Sequence, residues 1–113
     1  SCVPNIELLV KRFRPDAPFP RFKSCASAGL GDDVKGIDIF YTAQCPFTVP
    51  YIKLLDPVIQ SSSVPVRVHP IMTHEMARDH RAPLTTYSVF VDGKFYTREV
   101  LTPAKLQKLL EEQ

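Results

Sequence analysis

The spacing of apolar residues changes several times along this chain, and each change marks an element. Ile37-Asp38-Ile39-Phe40-Tyr41 is an apolar run of strand length. Directly after it Phe47, Tyr51, Leu54, Leu55, Val58 and Ile59 fall at i, i+4, i+7, i+8, i+11 and i+12, one face of a helix over about 46–61. Pro50 and Pro57 lie inside that helix, and each removes a hydrogen bond to the carbonyl four residues back, so a kink is expected. Ser61-Ser62-Ser63 breaks the pattern, and Val64-Pro65-Val66-Arg67-Val68 alternates as a strand. Residues 72–80 fit a short helix ahead of Pro83. Tyr87 to Val91 and Phe95 to Val100 flank Asp92-Gly93, a strong hairpin signal because both central residues of a type I′ turn need positive φ. Thr102 then suits an N-cap and Pro103 the first helical position, with Leu106, Leu109 and Leu110 on one face.

The first third differs in texture. Ile6, Leu8 and Val10 alternate with Glu7 and Leu9 in a strand-like run, and three prolines at 15, 18 and 20 rule out a helix and favour an extended path. Ser24 to Gly36, with Gly29, Gly31 and Gly36, reads as loop or linker. Two units are therefore expected: 1–36, the extended end of a preceding domain with its linker, and 37–113, a folded domain. The first residue is Ser1, not Met, which suggests an excised piece or a processed end.

At 113 residues, 44% hydrophobic and 23% charged, the composition is that of one soluble domain with a single core. A formal net charge of +2 is too small to argue for nucleic acid or an anionic membrane. No apolar run approaches the ~18 residues of a membrane span, and the basic-then-apolar pattern of a signal peptide is not seen in these residues. Cys2, Cys25 and Cys45 are odd in number and lack Cys-x-x-Cys spacing, so neither a disulfide framework nor a zinc ribbon is indicated, and a reducing cytoplasm fits best.

Cys45 stands out by position. A strand stops just before it and a helical pattern starts just after, with Pro46 suited to the first helical position. Free N–H groups and the positive end of a helix dipole stabilise a thiolate there. This strand, Cys45-Pro46-Phe47-Thr48 and helix resemble the thioredoxin and glutaredoxin superfamily, whose motif is Cys-x-x-Cys or Cys-x-x-Ser. The element order agrees, since it implies an α/β, thioredoxin-like βαβαββα fold, a four-stranded mixed sheet with helices on both faces. Thr48 replaces the second cysteine, which excludes an intramotif disulfide and leaves a one-cysteine route through a mixed disulfide or a sulfenic acid. Thr42 stands where glutaredoxins often carry a lysine, which argues against a glutathione site; Pro46 in place of a glycine argues against an iron–sulfur cluster.

In that superfamily a cis-proline precedes the hairpin and faces the cysteine. Here Thr85 holds the matching place, or the loop is longer and Pro83 serves. Parallel packing should bring Cys45 within reach of Thr85 or Thr86, whose hydroxyls can hydrogen-bond a thiolate or ligand. Tyr87 lies near the same mouth as a further donor. His69, at the end of the second strand, reaches the same edge and is a candidate activating neighbour. The three histidines lack metal-ligand spacing, so no metal is expected. The candidate site is thus Cys45 as the reacting residue, with Pro46, Phe47, Thr48, His69, Thr85, Thr86 and Tyr87 as binding residues.

The run from Pro83 through Asp92-Gly93-Lys94-Phe95, followed by Glu99-Val100-Leu101 and joined to Cys45-Pro46-Phe47-Thr48, resembles the YoaP-like domain at the C-terminus of a group of GNAT-type N-acetyltransferases. Residues 6–10 and 17–23 look like the last acetyltransferase strand and the linker after it. The resemblance implies an accessory domain of a parent acetyltransferase, with that enzyme's N-terminal domain as its partner and a small-molecule or thiol substrate as a further one. Nucleic acid and membrane are not expected as partners. Acetyl-CoA binding in that family uses Arg/Gln-x-x-Gly-x-Gly/Ala at a helix N-terminus. Gly29-Leu30-Gly31 lacks the preceding Arg or Gln, so no cofactor is expected for this chain itself, and acetyl-CoA is implied only for the parent. Two function classes follow: a one-cysteine thiol-redox or thiol-sensing domain, and a non-catalytic module that binds a substrate or partner.

Overall fold

The computed structural model describes residues 7–31, 33–44, 46–82 and 84–113. From residue 37 on, the element order is β1 (Ile37–Tyr41), α1 (Thr48–Leu54), α2 (Asp56–Ser61), β2 (Val66–Pro70), α3 (His74–Arg78), β3 (Tyr87–Val91), β4 (Lys94–Thr97) and α4 (Pro103–Glu111). The four strands form one mixed sheet in the order β2-β1-β3-β4, with β1 parallel to β2 and antiparallel to β3, and β4 antiparallel to β3. With α1 and α2 taken as one interrupted helix, the α/β class and the βαβαββα order expected from the sequence are both present.

Pairing register decides which residues share a face. Ile37, Ile39 and Tyr41 sit opposite Val91, Val89 and Tyr87 on one side, and Val66 and Val68 extend that face on the other. This face meets Ile52 and Leu55 of the first helical stretch and Leu101, Leu106 and Leu109 near the C-terminus, which completes the core. The opposite face carries Asp38, Phe40, Arg67, His69, Ser88 and Phe90 and is closed in part by His80, two residues beyond α3.

Three boundaries depart from the pattern-based expectation. The single helix over 46–61 is two helices, and Pro46 belongs to the turn before the first, not to its first position. Pro50 sits in the first turn of α1, where its missing N–H costs nothing, whereas Pro57 cannot donate to the carbonyl of Lys53, and the chain breaks at Leu55. The buried positions are consequently Thr48, Ile52 and Leu55, while Phe47, Tyr51 and Leu54 face solvent. β2 lies two residues later than the alternation suggests: Pro65 has no N–H for the ladder and contributes only its carbonyl, which accepts from Ile37 N at 2.9 Å. β4 stops at Thr97, after a register irregularity at Val89/Phe90.

The hairpin and last helix form as expected. Asp92 and Gly93 take φ of 50° and 82°, and the Thr102 hydroxyl accepts from Lys105 N at 3.2 Å as the N-cap of α4. Residues 29–36 dock on this hairpin turn. Leu30 N donates to Gly93 O at 2.8 Å, Asp92 N to Gly36 O at 2.8 Å, and Gly36 N to the Asp92 carboxylate at 2.9 Å. A single 3-10 turn, Ser24–Ser27, precedes this docked stretch. No helix among the described residues is long and apolar enough to cross a membrane.

Candidate functional site

Because β1 and β2 are parallel, both end at one edge of the sheet, where β3 begins. Backbone bonds hold the three crossing segments together: Thr42 N donates to Thr86 O at 3.1 Å and Ile71 N to Tyr41 O at 2.7 Å. The connection from β1 to α1, which carries Cys-Pro-Phe-Thr, leaves the sheet here. Cys45, Pro83 and Cys2 lie outside the described residues, so the expected approach of Cys45 to Thr85 or Thr86, and the choice between Thr85 and Pro83, fall there too.

The described candidates divide into three groups. Thr48 is buried in the first turn of α1, beneath an exposed Phe47 that precedes the helix without a side-chain cap; Pro46 is exposed in the turn. Thr85 is half-buried and Thr86 exposed at the mouth. Tyr87 turns into the core instead: it is buried, and its hydroxyl accepts from Leu101 N at 3.2 Å. Burial raises the phenol's pKa, an effect the Leu101 hydrogen bond offsets in part.

His69 belongs to a network on the open face. Its Nε2 lies 2.8 Å from Asp38 Oδ1, and its ring stacks on Phe40 with centroids 4.5 Å apart. Arg67, directly across the ladder from Asp38, grips the same carboxylate from Nε at 2.7 Å and Nη2 at 2.8 Å. Burial pushes the Asp38 carboxyl up, but the hydrogen bonds and charges of Arg67 and His69 outweigh it and hold the pKa below its ordinary value. An ionised carboxylate only accepts, so His69 Nε2 carries the proton toward Asp38, and in the neutral ring Nδ1 is the acceptor. A tautomer fixed in this way, on a ring partly open to solvent, suits a proton acceptor or a hydrogen-bond anchor.

Sequence reasoning passed over four participants. Asp38 stands in the sequence only as one residue of the apolar run 37–41; its pairing with Arg67 depends on a register that no local pattern states. His80 and Ser88 form a second polar pair, Nε2 to Oγ at 2.8 Å, both buried beside Phe40 and Phe90. Thr42 at the end of β1 is buried, and its hydroxyl has no hydrogen-bond partner among the described residues. A groove of about 480 Å³ between β4 and α4, lined in part by Tyr96, Thr97, Leu101 and Lys105, involves none of the edge residues above.

An α/β domain with a threonine-rich edge and a carboxylate-anchored histidine on its open face is thus the class of protein the coordinates define. Residues 65–108 match the YoaP-like family. Over 110 residues it is 36% identical to the "Uncharacterized N-acetyltransferase YoaP" of Bacillus subtilis (strain 168), a match covering 97% of this chain and 43% of the relative. The chain therefore spans less than half the length of that relative. The comparison with solved structures found no match.

Proposed function

We propose that this chain is a thioredoxin-like accessory domain, C-terminal to the catalytic part of a GNAT-type N-acetyltransferase, with Cys45 as a one-cysteine thiol site. The carrying observation is the match itself, which takes in nearly all of this chain and under half of a relative named as an N-acetyltransferase. Acetyl transfer then belongs to the remainder of the longer protein. Two measurements test this part together: calorimetry of the 113-residue chain with acetyl-CoA, expected to give no heat of binding, and an acetyl-transfer assay on the whole Bacillus relative, expected to be positive. An inactive relative, or acetyl-CoA bound by the short chain, overturns it.

For the thiol, the supporting features are the strand–Cys-Pro-Phe-Thr–helix order and the hydroxyls of Thr48, Thr85 and Thr86 supplied by neighbouring segments. With no second cysteine in the motif, the Cys45 thiolate attacks one sulfur of a disulfide, forms a mixed disulfide and releases the other sulfur as a thiolate. The helix dipole contributes less than the sequence suggests, because α1 has only seven residues and starts at Thr48. Alkylation of Cys45 as a function of pH, with Cys45→Ser as blank, measures the decisive property. A pKa clearly below ~8.5 supports the thiol chemistry, and a value at or above it removes that chemistry.

A second reading, a non-catalytic binding module, is favoured by one feature. Phe47, Tyr51 and Leu54 form an exposed apolar stripe beside the Cys-Pro-Phe-Thr run, the kind of surface that holds a partner with no reaction at the cysteine.

A further inference from the structure

Among the described residues, the stretch 7–23 is the least buried, and it leaves several large apolar side chains in solvent. Every described residue from 7 to 23 is exposed except Ala17, which is half-buried. Leu9 and Phe13 stand out at 87% and 90% exposure, and Leu8, Phe19 and Phe22 are exposed with them. The molecule measures 56 × 32 × 23 Å, with a radius of gyration of 15.8 Å. A compact chain of this length has about 13 Å.

The arm has local order of its own. Arg12 Nη1 donates to Pro15 O at 3.0 Å and to Ala17 O at 3.3 Å, and its guanidinium lies 4.1 Å from the Phe19 ring centroid. One arginine thus folds residues 12–19 into a hook. Downstream, the bonds of Leu30 and Gly36 to the Asp92-Gly93 turn root the arm on the hairpin. Residues 7–10 make no ladder bonds with any described residue, although their alternation suits a strand.

We infer that residues 7–23 are a docking arm, and that its occupant is the remaining part of the longer acetyltransferase in the same chain. In that docked state 7–10 are added as a strand and Phe13 is covered. The inference rests on the proposed function above. The choice of partner follows from the alignment: 110 matched residues out of 113 necessarily include the arm, so the arm is shared with a protein that continues well beyond the match. Charge narrows the surface. Between 7 and 23, Lys11, Arg12, Arg14, Arg21 and Lys23 outnumber Glu7 and Asp16, so the receiving face should be apolar with an acidic rim.

Amide hydrogen exchange, run on the 113-residue chain and on the intact Bacillus relative, tests this without isolating any fragment. Amides 7–10 should exchange fast in the short chain, and the aligned amides in the relative at least about 100-fold more slowly. Equal rates in the two proteins overturn the inference. So does protection in the short chain that grows with its concentration alongside a dimer in sedimentation, since the occupant is then a second copy. An acetyltransferase-active relative with an unprotected arm sinks the docking and leaves the accessory-domain reading standing.

Discussion

Two buried polar residues at the residue scale carry opposite expectations. Asp38 is almost wholly buried and holds three donors, so Asp38→Ala leaves His69 Nε2 and Arg67 Nε without their acceptor, while Arg67 Nη2 keeps the Lys35 carbonyl. Loss of one partner of a fully buried pair costs about 3–5 kcal/mol. Arg67 and His69 are 40% and 37% exposed, and water can replace part of the interaction, so about 2 kcal/mol is expected from urea unfolding. Thr42 is the reverse case. An orphaned buried hydroxyl costs about 1–3 kcal/mol, so Thr42→Val should raise the unfolding free energy by about 1 kcal/mol; a decrease would mean that the hydroxyl is bonded in solution. His80 sets a pH dependence. Burial lowers its pKa, so the unfolded chain binds the proton first as pH falls. Stability should be full above about pH 6.5 and decline below it, toward the folded-state value. Denaturation midpoints at pH 7.5 and 5.5 check this, and His80→Gln should remove the contribution.

At the scale of elements, the sequence was legible where one residue type fixes a local geometry. Asp92-Gly93 sets the hairpin through positive φ, and Thr102-Pro103 sets the start of α4 through capping. The first helix was less legible because two signals conflict. Its apolar residues suggest one continuous face, but Pro57 splits the helix, and the buried line shifts to Thr48, Ile52 and Leu55. Polar partnerships were not legible at all, since Asp38–Arg67 and His80–Ser88 depend on strand register and on the path of the chain after α3. One long-range contact, between Gly93 and Gly31, is equally invisible locally. A Cβ on Gly93 would run into the Gly31 carbonyl oxygen, at a φ of 82°. Gly93→Ala should therefore cost about 2 kcal/mol or more, and hydrogen exchange should show Leu30 losing protection along with the turn. Loss of stability with Leu30 still protected would mean that backbone strain alone is responsible.

At the scale of the whole molecule, the question is where the folded unit starts. Composition suggests a boundary at 36, and among the described residues the core cluster contains nothing before Ile37. The hydrogen bonds draw it elsewhere, because the docked stretch 29–36 makes three backbone-anchored bonds to the Asp92-Gly93 turn. Two truncations separate the alternatives. A variant beginning at Phe22 loses, among the described residues, only exposed chain and the half-buried Ala17, and should unfold within about 0.5 kcal/mol of the 113-residue protein. A variant beginning at Ile37 keeps the entire core yet gives up those three bonds, each worth about 1 kcal/mol net, so a loss of about 3 kcal/mol is expected in urea. Equal stability of the two variants would put the boundary at 36. A marked loss in the longer variant would mean that the arm already packs on the domain in solution, and its apolar side chains would then not be free to dock elsewhere.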